Sequence, residues 1–196
     1  MTCKVLVLYY SRNGNTRRMA NQIARAADAV DGCETLVRTV AEIETTGKPP
    51  GTQVHAPIVS KSELRECDAL IVGSPTRFGN MAAPLKAFFD STSDLWLSGA
   101  MTDKPAAVFT SSSTMHGGQE TTLFTMMLPM IHHGMIMIGI PYSEAALHRT
   151  QGGGTPYGAS QVSGDNPMPT FTQDEKTLCS ALGRRVATIT TRLNAG

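Results

Sequence analysis

The segment KVLVLYY, residues 4–10, is apolar at every position after its lysine. A strand with one face in water alternates apolar and polar side chains. A strand that is apolar on both faces has to be covered on both, which selects a parallel sheet with helices packed above and below it. The same kind of run returns as DALIVGSP (68–75), PAAVFTSS (105–112) and GMIMIGIP (134–141), and ETLVRTV (34–40) is a further strand. Helical patterns lie between them. Residues 15–30 place Met19, Ile23, Ala26, Ala27 and Val30 on one side, and 82–93 and 118–133 are also helical. A last helix spans 172–193, with Thr172 as N-cap and Glu175 three residues on, the spacing of a capping box. The pattern predicts one α/β domain over residues 1–196, with no internal repeat. Its core is a doubly wound, five-stranded parallel sheet with helices on both faces.

Two stretches break the alternation. Residues 41–62 contain TTGKPPG and read as an exposed loop. Residues 142–170 are rich in Gly, Pro, Ser and Thr. They are too long for an ordinary connection, so they are expected to serve the function or pack on a partner.

In open sheets of this kind ligands bind beyond the carboxyl ends of the strands. The segments that leave strands one, three and four are SRNGNT (11–16), SPTRFGNM (74–81) and SSSTMHGGQ (111–119). All are rich in small, hydroxyl-bearing or amide-bearing residues, and right-handed crossovers put all three on one edge. In the first, Ser11, Asn13, Asn15 and Thr16 offer side-chain donors, and Gly14 permits a tight turn. The helix that follows presents unpaired N–H groups and its positive dipole end, the makings of a phosphate nest. The G-x-x-x-x-G-K-[ST] and G-x-G-x-x-G patterns are absent, so a phosphate monoester fits better than a triphosphate or a dinucleotide pyrophosphate.

Composition narrows the partners. The chain has 17 basic and 16 acidic residues, a formal net charge of +1. That balance gives no electrostatic argument for nucleic acid or an anionic membrane. The first residues run straight into a strand pattern, so no signal peptide is expected, and no apolar run approaches the roughly 20 residues of a membrane span. Cys3, Cys33, Cys67 and Cys179 are scattered, with no C-x-x-C. They read as buried free thiols rather than disulfides or metal ligands, which suits a reducing, cytoplasmic setting.

The motifs also carry a resemblance. S-x-x-G-N-T after the first strand is similar to the phosphate loop of flavodoxins. GSPTRFGNMAAPLKAFFD, the lone Trp in LWLSGAM, HGGQETTL, HHGMIMIGIPY and GGTPYGAS resemble the WrbA family of flavodoxin-like NAD(P)H:quinone oxidoreductases over about residues 4–193. The resemblance implies FMN as cofactor and NAD(P)H as co-substrate, a quinone as acceptor, and a homotetramer. It implies that Ser11, Arg12, Asn13, Gly14, Asn15 and Thr16 hold the FMN phosphate. Pro75, Thr76, Arg77, Phe78, Gly79 and Asn80 would flank the ring, and Ser112, Ser113, Thr114, Met115, His116 and Gly117 would border the ring and ribityl chain. His132 matches a position that contacts the flavin site from a neighbouring subunit and can donate to a quinone oxygen. Trp96 matches the aromatic that stacks over the substrate. Gly152 to Gly158 would lie near the site or at a subunit contact.

Three positions depart from the family pattern. Asn13 stands where an aromatic is associated with the nicotinamide, and Met115 and His116 are bulkier than the glycine-rich family loop. The implied reaction moves a hydride from NAD(P)H through FMN to a quinone. An alternative is a flavodoxin-type single-electron carrier between proteins. Such carriers are commonly strongly acidic, which the +1 balance does not match. A regulatory binding protein is a third reading, and nothing in the chain reads as a DNA-binding motif or basic stripe.

Overall fold

The computed structural model describes residues 2–43, 56–164 and 171–195. Of the loop expected over 41–62, residues 44–55 with the whole TTGKPPG motif lie outside them, as does the end of the 142–170 stretch. In chain order the elements are β1 (Cys3–Tyr9), α1 (Asn15–Asp28), β2 (Cys33–Thr39), α2 (Lys61–Glu66), β3 (Ala69–Pro75), α3 (Ala83–Asp90) and α4 (Ser93–Leu97). They continue with β4 (Pro105–Ser112), α5 (Gln119–His132), β5 (Ile136–Met137), α6 (Ala146–Arg149), β6 (Ala159–Val162) and α7 (Gln173–Asn194).

The sheet is parallel, with order β2-β1-β3-β4-β5. The absence of polar alternation in β1 is explained by what covers it. Val5, Val7 and Tyr9 face α1 and α7 with Met19, Ile23, Leu178 and Leu182, while Leu6, Leu8 and Tyr10 face the opposite core with Leu64, Leu85, Leu95 and Leu123. Both faces are dry, as the run of apolar residues required.

Two expectations are corrected in detail. The helix over 82–93 divides into α3 and α4. The hydroxyls of Ser91 and Thr92 donate to the carbonyls of Phe88 and Phe89, both at 2.7 Å, and close off the first helix. The strand over 134–141 pairs with β4 only at Ile136 and Met137. The chain then turns aside, and the Ile140 amide donates to the Pro156 carbonyl at 2.8 Å. Gly139 permits this, since a Cβ there would lie 2.3 Å from that carbonyl oxygen. The fifth lane of the sheet is completed by β6, which pairs with the second half of β4 from Phe109↔Ala159 to Ser112↔Val162. So the Gly- and Pro-rich stretch contributes a strand.

Glu175 holds that stretch in place. It forms the capping box with Thr172, and its buried carboxylate also accepts from the amides of Gly153 and Val162 at 3.0 and 2.9 Å. All four thiols are free, and Cys3, Cys67 and Cys179 are buried. Burial pushes the Cys67 thiol up to about 12 and raises Cys3 and Cys179 as well, so these thiols are held protonated and unreactive. Among the described residues no helix is long and apolar enough to cross a membrane, and no three His, Cys, Asp or Glu side chains form a metal-binding group.

Candidate active site

The three loops converge at the carboxyl edge of the sheet around a cavity of about 420 Å³. The first loop contributes Ser11, Arg12, Asn13, Asn15 and Thr16, the second Pro75, Thr76 and Arg77, and the third Ser112 and Ser113. Each of these stands among the residues expected from the sequence. Ser111, Ser163 and Gly164 also line the cavity and were not expected. Ser111 is the penultimate residue of β4, and its place at the head of the Ser111–Ser113 run was a usable signal. Ser163 and Gly164 follow β6, a strand whose residues ASQV carry no clear apolar pattern.

What sets the two helix starts at the site apart is a glycine N-cap in the left-handed region, since α3, α4 and α6 also lack a side-chain cap. Helices α2 and α7 each begin with a complete capping box. Helices α1 and α5 begin at Gly14 and Gly118, at φ 86° and 88°, with no side-chain cap. Their first-turn amides are therefore without internal partners. No acidic residue lies in the first turn of α1 to neutralise its dipole. The Ser11 hydroxyl accepts from the Gly14 amide at 3.1 Å and fixes the turn. Thr16 Oγ1 lies 3.0 Å from Ser111 Oγ, which ties the first loop to β4. Uncapped amides, several hydroxyls and the adjacent Arg12 match the chemistry of a phosphate monoester.

The second loop is a two-residue turn. Arg77 and Asn80 exchange backbone hydrogen bonds of 2.8 and 3.0 Å, and Phe78 and Gly79 between them have φ of 52° and 75°. Positive φ at both central positions is the type I′ geometry, which glycine tolerates and phenylalanine does not favour. The strained turn holds the Phe78 ring wholly in solvent. Core packing is thereby excluded for Phe78, and strain of this kind gathers at functional loops.

The third loop is braced from within. Ser112 Oγ donates to the Thr114 carbonyl, and Gln119 Nε2 donates to the Met115 carbonyl, each at 2.7 Å. Loops two and three meet through glycines, because a Cβ on Gly118 would lie 3.0 Å from Gly79 Cα. Thr76 Oγ1 accepts from Thr122 Oγ1 at 2.8 Å and donates to the Gly117 carbonyl at 3.3 Å.

The remaining expected residues lie outside this cavity. Met115 and His116 face an adjoining hollow of about 410 Å³, so their side chains do not narrow the first cavity. Gly14, Gly79 and Gly117 shape backbone, and Asn80 faces a further groove. His132 is exposed at the far end of α5, about 20 Å along the helix from the third loop. Trp96 lies near that end, half-exposed on α4, which is joined to α5 by a 2.9 Å hydrogen bond between Thr92 Oγ1 and His133 Nε2. One chain therefore does not bring Trp96 or His132 to its own cavity. Burial, and the neighbouring His132, hold the His133 imidazole below its ordinary value, which favours the neutral ring.

A 2-1-3-4-5 parallel sheet with a phosphate-shaped first loop defines a flavodoxin-type α/β protein. The model of the NADPH-dependent FMN reductase family matches residues 3–148, and the chain belongs to that family. Curated relatives include an NAD(P)H dehydrogenase (quinone) of Geotalea daltonii, 40% identical over 97% of this chain and 98% of the relative. Another protein of the same name, from Solidesulfovibrio magneticus, is 38% identical over 97% and 99%. Among solved structures the fold matches a flavodoxin, WrbA-like protein from Agrobacterium tumefaciens. Its TM-score is 0.69 at 21% identity, covering 97% of this chain and 99% of that one.

Proposed function

We propose that the chain is an FMN-dependent NAD(P)H:quinone oxidoreductase. The observation that carries this reading is the uncapped start of α1 facing a cavity bordered by all three strand-end loops. Bound FMN supplies the chemistry, a hydride taken from NAD(P)H and two electrons passed to a quinone. The chain's own part is to hold and orient. Ser11, Asn15, Thr16 and the first amides of α1 would hold the phosphate. Ser112, Ser113 and Ser163 would line the ribityl path. Thr76 to Gly79 would border the ring with backbone donors, which favour a developing negative charge there.

Trp96 and His132 would act on the site of a second copy. Phe124, Leu128 and Ile131 form an exposed apolar stripe at helical spacing on α5, and Trp96 and Leu97 extend it on α4. A face of this kind supports self-association, in line with the expected homotetramer. Tyr157, from the Gly152–Gly158 segment, packs on Phe124 with ring centroids 4.6 Å apart, so that segment borders the same face. The four free thiols suit a cytoplasmic location.

The test is anaerobic mixing of FMN-loaded protein with NADPH, then with benzoquinone. Bleaching of the oxidised-flavin band followed by full recovery is expected. Initial-rate plots at several quinone concentrations should be parallel, since both substrates use one cavity in turn. Absence of bleaching by either nicotinamide would overturn the reading and favour a single-electron carrier. In the same assay Trp96→Ala should lower kcat/KM for the quinone about three- to tenfold, the worth of one aromatic stack, with FMN retained. Unchanged quinone kinetics at full flavin loading would remove the stacking role.

A further inference from the structure

A groove of about 640 Å³ lies beside the flavin cavity and shares Arg12 and Arg77 with it. Tyr10 and Met81 line its buried side, and the exposed flank of α3, with Ala83, Lys86 and Ala87, forms one wall. Five charged groups face it: Arg12, Arg77, Lys86, Glu42 and Asp90. Glu42 accepts from the Tyr10 hydroxyl at 3.2 Å. Asp90 is occupied by Lys86 at 2.5 Å, four residues away on the exposed side of the helix. Among the described residues neither Arg12 nor Arg77 forms an ion pair with a carboxylate. Arg12 and Arg77 line the groove together with Tyr10, whose phenol is raised by burial and Glu42 while both guanidinium groups oppose that rise.

The groove answers a problem of size. A nicotinamide dinucleotide that presents its ring at the second loop still has a pyrophosphate and an adenosine to place. These carry two negative charges in NADH and about two more in NADPH, and they must leave the flavin cavity. The exit is lined by the guanidinium groups of Arg12 and Arg77, which form no ion pair among the described residues, Arg77 donating only to the Thr76 carbonyl at 2.8 Å, and which suit phosphate oxygens. Beyond them α3 presents two alanines, a flat surface for a base, with Lys86 between them. The exposed i,i+4 pair of Lys86 with Asp90 is weak, so Lys86 changes partner at little cost.

We propose that the groove between the first loop and α3 binds the phosphorylated adenosine half of the nicotinamide co-substrate. Arg12 and Arg77 meet the pyrophosphate, and Lys86 meets the phosphate on the adenosine ribose, so that NADPH is preferred to NADH. The proposal rests on the function given above, and it fixes the choice of nicotinamide that the sequence left open.

The test uses the full FMN-loaded chain and three variants, Lys86→Ala, Lys86→Arg and Ala87→Glu. All lie on an exposed helix flank, and FMN affinity and Tm confirm that each is folded. The redox-inert probe is adenosine 2′,5′-bisphosphate, with AMP as its comparison. Wild type should bind the bisphosphate more tightly than AMP and show a lower KM for NADPH than for NADH. Lys86→Ala should raise the KM for NADPH about tenfold, the worth of one charge-assisted contact, leaving NADH and quinone parameters unchanged. Lys86→Arg should retain the preference, and Ala87→Glu should weaken both nicotinamides and the bisphosphate. Equal KM for the two nicotinamides in wild type, or a ratio that Lys86→Ala does not alter, would overturn the proposal. Failure of both nicotinamides to reduce wild-type flavin would instead overturn the assigned reaction. In that case calorimetry with the bisphosphate still decides the groove: binding lost in Lys86→Ala supports it, and no binding to wild type refutes it.

Discussion

The double variant Asn15→Ala, Thr16→Ala is expected to bind FMN about two to four orders of magnitude more weakly than the parent chain. A hydrogen bond to a charged partner is worth about 1.5–3 kcal/mol, so two such losses amount to about 3–6 kcal/mol. Both side chains line the cavity at the start of an uncapped helix, where no other side chain satisfies the first-turn amides. Thr16 is buried, and its hydroxyl also pairs with Ser111, so its loss affects β4 as well as the ligand. The Ser111→Ala variant separates these effects. It removes the internal pairing and keeps the Thr16 hydroxyl, and it should cost less affinity than Thr16→Ala. The measurement is a fluorescence titration of apoprotein with FMN, alongside the Tm of each apoprotein. Unchanged affinity in the double variant would move the phosphate away from the first loop.

How far the sequence reveals this molecule depends on the range of the interactions involved. The long apolar runs and the strong caps are local signals. β1, β3, β4 and α7 accordingly stand within a residue or so of where the sequence puts them, and the Thr172–Glu175 box is present. The fifth lane of the sheet is not local. Whether 138–140 continues beside β4 is decided by Pro156, which approaches Gly139 from a distant part of the chain. Nor does ASQV announce a strand, because its pairing with β4 is secured by Glu175 from the last helix. The site follows the same division. The Ser, Asn and Thr of the loops were legible as donors, while Ser163 and Gly164 became visible only once β6 had delivered them to the edge. Trp96 and His132 lie away from the cavity of their own chain, and a sequence carries no mark of which copy a side chain serves. Phe78 was ambiguous for another reason. An aromatic in a loop suits core or site equally, and only its φ of 52° and its exposure distinguish the two.

Gly183→Ala is expected to destabilise the fold, although alanine is the better helix former by about 1 kcal/mol. Gly183 lies within α7 where that helix crosses α1, and a Cβ there would sit 2.3 Å from the Ile23 carbonyl oxygen and 3.3 Å from the Ala27 amide nitrogen. Both atoms belong to the backbone of α1, so no side chain can swing aside. The helices must separate by about 1 Å to restore an ordinary contact, against a core that includes Met19, Ile23, Leu178 and Leu182. Overpacking of this kind costs about 1–3 kcal/mol and more where backbone resists, so the helix-propensity gain is outweighed. A net loss near 2 kcal/mol corresponds to a fall in Tm of about 4–8 °C for a chain of this length. Gly32 provides the contrast. It has φ of +77° with nothing within 4 Å of a Cβ, so Gly32→Ala meets only the left-handed backbone penalty, about 1–2 kcal/mol. The two variants differ further in ligand binding. Displacing α1 moves the first-turn amides proposed to hold the phosphate, so Gly183→Ala should lose FMN affinity as well as stability. Gly32→Ala, at the opposite edge of the sheet, should keep its affinity. A Gly183→Ala protein with parental Tm and parental FMN affinity would mean that α1 is not positioned by its contact with α7, and that the phosphate loop owes its place to β1 and Ser111 alone.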